Sequence, residues 1–349
     1  MKAKIILLSA LSVIAASCAS DPAGWAPAGE NIKTRWAAEV TPSNVHQEYP
    51  RPQMIRDDWA CLNGLWDYAI SPSSQDEMPQ AEGKILVPFC VESSLSGVGR
   101  SLTAEDALWY SRTFKIPRQW RGGRVILHFE AVDWSAKIWV NGQLAGSHTG
   151  GYTPFGIDIT PYLEKGRSQT VTVKVLDATD NTLQPRGKQV SHPDGIWYTS
   201  VSGIWQSVWM EPVGQSYIAG FTAEPDVDGK QVKFSVDALG TMAGDVIKAS
   251  VIGNGRTCEA SFEAGEQGAV ELGEELKLWS PDSPYLYDLE VKVCRGDKVI
   301  DVVKGYTAMR KISTYTDADG HKRMALNGEP LFHFGPLDQG WWPDGLYTA

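Results

Sequence analysis

The stretch RVILHFEAVDWSAKIWVNGQLAG, residues 124–146, confines the fold more than any other part of the chain. Val125, Leu127 and Phe129 alternate with Ile126 and His128. Ala136, Ile138 and Val140 then alternate with Lys137 and Trp139 and run into Asn141-Gly142. Successive side chains of a strand point to opposite faces, so this alternation belongs to a sheet with one apolar and one mixed face. Asn-Gly accepts the positive φ angles of a two-residue hairpin turn. QTVTVKVLD, residues 169–177, alternates again, with Val171, Val173 and Val175 against Thr172 and Lys174. No long helical period competes. From about residue 45 to 213 the chain reads as short strands punctuated by turns, which predicts a β-sandwich.

A second block of strands occupies about 216–308. IAGFTAEPDVDGKQVKFSVDAL is strand, Asp228-Gly229 turn, strand, and DVIKASVIGNG and LYDLEVKVCRGDKVI repeat the pattern at the spacing of a small immunoglobulin-like sandwich. Nine of the 14 tryptophans lie between Trp59 and Trp209 and only Trp279 in the second block, which supports a boundary near Pro212-Val213-Gly214. DGHKRMALNGEPLFHFG, from Asp319, predicts a short hairpin around Asn327-Gly328 followed by an apolar strand from Leu331 to Phe334. An isolated strand satisfies neither its ladder nor its two faces, so the tail from Leu331 to Ala349 reads as unpartnered.

At 349 residues and 42% hydrophobic content the chain has material for two or three cores. A formal charge of −10 without a basic block argues against nucleic acid or an anionic membrane as partner. Lys2 and Lys4 precede an apolar run from Ile5 to Ala16, too short to span a bilayer and suited to a secretory signal. Ala15-Ala16-Ser17-Cys18 resembles a bacterial lipoprotein signal in which Cys18 takes the lipid; cleavage after a small residue, with Cys18 incidental, is the other reading. Both place the mature protein outside the cytoplasm, in the periplasm or at the cell surface, with any membrane attachment to the outer membrane through lipid alone. Cys61, Cys90, Cys258 and Cys294 remain, and in domains of this size we expect buried thiols rather than disulfides. The six histidines show no metal-ligand spacing, and no glycine-rich phosphate loop leads into a helix. No metal or organic cofactor is expected.

Several phrases, in order, resemble glycoside hydrolase family 2, the group of β-galactosidases, β-glucuronidases and β-mannosidases. LNGLWDYAI (62–70), LWYSRTFKIP (108–117) and FEAVDWSAKIWVNGQLAGSHTGGYTPFGIDIT (129–160) are similar to its sugar-binding jelly roll, and GIWQSVWME (203–211) to the strand that closes it. LKLWSPDSPYLYDLEV (276–291) resembles its immunoglobulin-like domain, and YTAMRKIS with LNGEPLFHFG resembles the opening of its (β/α)8 barrel. The resemblance implies an all-β chain. It would consist of a signal peptide over 1–17, a tether over 18–44, a jelly-roll sugar-binding domain over 45–213 and an immunoglobulin-like sandwich over 214–312. Residues 313–349 would be the truncated start of the barrel. The family is retaining: one Glu protonates the leaving oxygen and a second attacks the anomeric carbon. Both lie on later barrel strands, so the resemblance implies that this chain holds no catalytic residue. It would be the N-terminal part of a β-glycosidase, with a β-galactoside the commonest family substrate and the missing barrel its partner. A surface lipoprotein that binds glycans without catalysis is the alternative.

The candidate substrate-binding residues are Asp194, Trp197, Asp338 and Gln339. Asp194 sits where relatives carry a sugar-contacting Asp; Pro-Asp-Gly is also ordinary turn chemistry. Trp197 could stack on a sugar ring or lie buried in the sandwich. Asp338 and Gln339 follow the first barrel-like strand, where substrate-binding residues of barrels collect, although Asp338 could simply cap its own loop.

Overall fold

The computed structural model describes residues 24–349, so the expected signal peptide and Cys18 lie outside the described residues. Two sandwiches follow one another, and among the described residues the only helical turns are 3₁₀ pieces of three or four residues. The first sandwich faces a six-stranded antiparallel sheet against a four-stranded one. In spatial order the larger sheet is Gly83–Val87, Gly64–Pro72, Asp106–Phe114, Gln169–Leu176, Ser135–Val140 and Gln143–Thr149. The smaller is Ala60–Cys61, Val208–Val213, Arg124–Phe129 and Phe155–Asp158. The adjacency of distant segments is the jelly-roll pattern.

The alternation read from sequence sets which faces meet. Val125, Leu127 and Phe129 join Ala136, Ile138, Val140, Val171, Val173 and Val175 in one core with Trp66 and Tyr110. On the opposite face Ile126 packs with Val213 and Tyr217, and His128 stacks on Trp209 with ring centroids 4.1 Å apart. Lys174, also facing outward, is buried all the same: its Nζ stands 5.3 Å from the centroid of the Trp109 ring and donates to the carbonyls of Ser73 and Gln75. A long cationic stem can cover apolar surface as long as its head finds acceptors.

The second sandwich, immunoglobulin-like, sets Tyr217–Asp226, Gln231–Leu239 and Gln267–Glu271 against Arg256–Glu263, Asp245–Gly253, Tyr287–Arg295 and Lys298–Thr307. Phe234, Val251, Leu289 and Val293 fill its core. At the Asp228-Gly229 turn the residue with positive φ is Lys230, at 53°. Among the described residues the four cysteines, Cys61, Cys90, Cys258 and Cys294, are free thiols, with Cys90 and Cys294 buried.

Three expectations are corrected. From Trp25 onward the expected tether lies on the jelly roll: Trp25, Ala37 and Val45 share a buried cluster with Leu86, Phe89 and Leu95. The hairpin forms, from Ile312–Thr316, Lys322–Leu326 and Glu329–Pro330, but no strand follows over Leu331–Phe334. Phe332, Phe334 and Leu337 are instead almost fully exposed, because no neighbouring strand supplies the ladder that would hold them extended. The remainder of the tail is not unpartnered. Asp344, Leu346 and Thr348 are buried against the jelly roll, where the Thr348 hydroxyl donates to the carbonyls of Pro88 and Trp205.

Candidate functional site

The longest irregular stretch of the jelly roll follows the strand Gln169–Leu176 and carries two of the four candidates. Its course is fixed by carboxylates. Asp177 Oδ1 accepts from the Thr179 amide at 2.8 Å and from Gln184 Nε2 at 2.7 Å. Asp180 Oδ1 accepts from the Ser191 hydroxyl at 2.6 Å, and this bond holds its carboxyl below the usual range. A short parallel pair, Gln189–Val190 with Tyr198–Thr199, then closes the loop and leaves Asp194 to Trp197 at its tip.

Asp194 is exposed; its Oδ1 takes the Gly195 amide at 2.9 Å and its carbonyl takes the Trp197 amide at 3.1 Å. Both bonds belong to its own turn, as the turn reading requires. Trp197 is not a buried sandwich tryptophan. It is 43% exposed, with the Arg186 guanidinium 5.5 Å above its ring. Asp338 also serves its own turn, accepting from the Gly340 amide at 2.8 Å.

Gln339 is the candidate that the structure brings to the jelly-roll loop. Its Oε1 accepts from Lys188 Nζ at 3.2 Å and from the Tyr198 hydroxyl at 3.4 Å. Beside it Tyr198 stacks on Trp341 with centroids 4.7 Å apart and planes 15° apart. Trp341, Tyr347, Trp205 and Tyr152 continue as an aromatic cluster, with Tyr347 and Tyr152 joined through their hydroxyls at 3.0 Å. The loop at the tip of one sandwich and the segment after the second therefore meet on one surface. Its groups are an aromatic face, amide and hydroxyl donors, and cations from Arg186 and Lys188, a set suited to hydroxylated ligands.

A group of acids beneath this surface was not legible in the sequence. Asp133 and Asp177 are buried, Glu92 partly so, and they come from three segments distant along the chain. Burial raises Glu92 to about 7 against the hydrogen bonds it accepts from Ser202. Burial, then the charges of Asp177 and Glu92, raises Asp133 to about 8. The only sequence signal was a carboxylate interrupting otherwise apolar strands at AVDW and VKVLD. Elsewhere Asp317, Asp319 and His321 place ligand atoms within 4.8 Å of one another in an exposed turn. Asp317 is already engaged there by the Asp319 and His321 amides and by Arg323 Nε, so the turn is complete as it stands.

Comparison with known proteins bears on the whole arrangement. Residues 98–211 match the sugar binding domain of glycosyl hydrolases family 2, and residues 216–310 match a second domain of glycosyl hydrolases family 2. A β-galactosidase of Bacteroides ovatus is 27% identical over 80% of this chain and 31% of its own length. A β-galactosidase of Thermoanaerobacter pseudethanolicus is 28% identical over 64% of this chain and 30% of its own. A β-glucuronidase of Paenibacillus borealis is 26% identical over 78% of this chain and 48% of its own. The chain thus spans about a third to a half of the length of these curated relatives. Among solved structures, the β-glucuronidase of Ruminococcus gnavus superposes with a TM-score of 0.70 at 20% identity, over 87% of this chain and 54% of that one. That likeness shows the fold.

Proposed function

The chain belongs to glycoside hydrolase family 2, and from that membership we propose that it forms the non-catalytic front portion of an exported retaining β-glycosidase. One observation carries the reading: Gln339, on the segment resembling the loop after the first barrel strand, is held by Lys188 and Tyr198 of the jelly-roll loop. A sugar-binding domain would contribute to an exo-acting site through such a contact, with Trp197 beside it as a stacking face. The hydrolytic step needs two carboxyl groups about 5 Å apart, one as acid and one as nucleophile. We assign neither to these residues. Asp194 and Asp338 close their own turns, and of the acids near the aromatic cluster Asp133 and Asp177 are buried and Glu92 is half-buried.

Two of the relatives above are β-galactosidases and one is a β-glucuronidase. A β-galactoside is the substrate we favour, a β-glucuronide its competitor. Export rests on the Lys2–Ala16 signal, and attachment to the outer membrane on a lipid at Cys18. The purified chain, offered a panel of p-nitrophenyl β-glycosides, is expected to release no nitrophenol above the blank. Turnover of any of them would end the non-catalytic assignment. The exposed face of Trp197 also suits the alternative, a surface lipoprotein that holds glycans without cleaving them. Glycan retention by the complete natural polypeptide, without hydrolysis, would select that reading.

A further inference from the structure

Asp133 is a carboxyl group in a place where a charge is costly. It is 5% exposed, and its Oδ1 has no hydrogen-bond partner. Across the ladder it pairs with Gly203. The adjoining Ser202 donates its amide to Glu92 Oε2 at 2.9 Å and its hydroxyl to Asp177 Oδ2 at 2.6 Å. Three acids thus gather around one dipeptide. The tail packs beside them: Leu346 shares a buried cluster with Cys90 and with Val201, next to Ser202, and the Asp344 carbonyl accepts from the Ser93 hydroxyl at 2.6 Å and the Leu95 amide at 3.2 Å. On the other side Tyr347 meets Tyr152, and Trp205 Nε1 donates to the Gly151 carbonyl at 2.7 Å, where the Asp133 carboxyl rests against Gly151.

Asp133 shares this region with titratable groups from every adjoining element. They are Cys90 and Glu92 from the turn after Val87, Tyr110 from its strand, Asp177 from the end of another, Tyr152 from the Gly150-Gly151 loop and Tyr347 from the tail. The charges acting on Asp133 itself are both carboxylates. We propose that Asp133 is held as a neutral acid beneath the docked tail, and that loss of its proton releases residues 341–349 from the jelly roll. The proton goes to solvent, and water that enters on release solvates the new charge.

The sign follows from linkage. Asp133 is raised to about 8 when the tail is docked, and a carboxyl opened to water titrates at about 4. Docking is therefore at full strength below the lower value and weakens as pH climbs toward the upper one. One proton released gives about a tenfold loss in docking per pH unit inside that window.

Hydrogen–deuterium exchange of the tail tests this, read at the Trp342, Leu346 and Thr348 amides and corrected for intrinsic rates. Tail opening should be at least about tenfold more frequent at about pH 8.5 than at about pH 5.5. Asp133→Asn should remove the dependence while circular dichroism shows the sandwiches intact. Equal protection at both pH values, or the same dependence in Asp133→Asn, would overturn the proposal. If the variant does not fold, wild-type chain labelled with ¹³Cγ-aspartate decides: one carboxyl signal should titrate above about pH 6, and titration of every aspartate below about pH 5 would overturn it. Protection restored at high pH by about 1 mM calcium would overturn it too, giving a cation the place assigned to the proton.

Discussion

Gly151 is a position where a single methyl group would be felt. A Cβ there would stand 2.4 Å from both Cγ and Oδ1 of Asp133. The aspartate is hemmed in by the Gly203 ladder, and the Gly151 carbonyl is tied to the Trp205 indole, so neither side can yield freely. Gly151→Ala is expected to cost about 1–3 kcal/mol through overpacking. In urea this would appear as a lower midpoint with an unchanged slope, and an unshifted midpoint would mean that the contact relaxes at no cost. Single residues were legible in the sequence where their partners are near along the chain. Asp194 and Asp338 both make the turn bonds their neighbours suggest. Gln339 could be named but not connected, because Lys188 and Tyr198 reach it only through the tertiary fold.

Among the elements, the hairpin at Asn141-Gly142 shows how much a turn can carry. Asn141 has φ 50° and Gly142 φ 79°, the left-handed pair that a primed hairpin turn needs. The Asn141 side chain also donates to the Tyr162 carbonyl and Gln169 Oε1 and accepts the Thr170 amide at 2.9 Å. One side chain thereby ties the turn to the start of the strand Gln169–Leu176. Asn141→Ala loses these bonds and keeps a strained φ, so we expect a loss of about 2–4 kcal/mol in thermal or chemical unfolding. A loss under about 0.5 kcal/mol would show that the turn does not organise the sheet. Strands such as this one were legible because period-two alternation and turn chemistry are local. The strand expected at Leu331–Phe334 was not observed, since apolar residues make a strand only where a neighbour accepts their backbone bonds. The loop over residues 178–199 was equally opaque: its path depends on Asp177 and Asp180 reaching across gaps in the sequence.

At the scale of the whole molecule, one buried ion network joins the two sandwiches. Arg56 lies just before the first strand of the jelly roll and is 7% exposed. Its Nη1 donates to Asp301 Oδ1, and its Nη2 donates to Asp301 Oδ2 at 2.9 Å and to the Ile218 carbonyl at 2.6 Å, all in the second sandwich. Its Nε stands 3.3 Å from Glu211 Oε2, on the last strand of the first. Glu211 also accepts from Arg51 at 2.9 Å and meets His128 Nε2 at 3.0 Å. Burial works to raise Glu211, but His128, Arg51 and Arg56 together outweigh it and hold its carboxyl below the ordinary range. The stability Glu211 contributes is therefore present above the ordinary carboxylate range and lost as pH falls through its depressed value. Removing Arg56 would leave the half-buried Asp301 with the Ile218 amide alone and the buried Glu211 with Arg51 and His128, at a cost of about 1–3 kcal/mol. With Ile55 bonded through both its amide and its carbonyl to Lys304, the network should make the sandwiches melt together. Calorimetry of the wild-type chain near neutral pH is expected to show one transition and Arg56→Met two, the second sandwich melting first. Strong acid should split the wild-type transition in the same way. A wild type already resolved into two transitions, or a variant still melting in one at the same temperature, would show that the sandwiches are joined only by the chain between them.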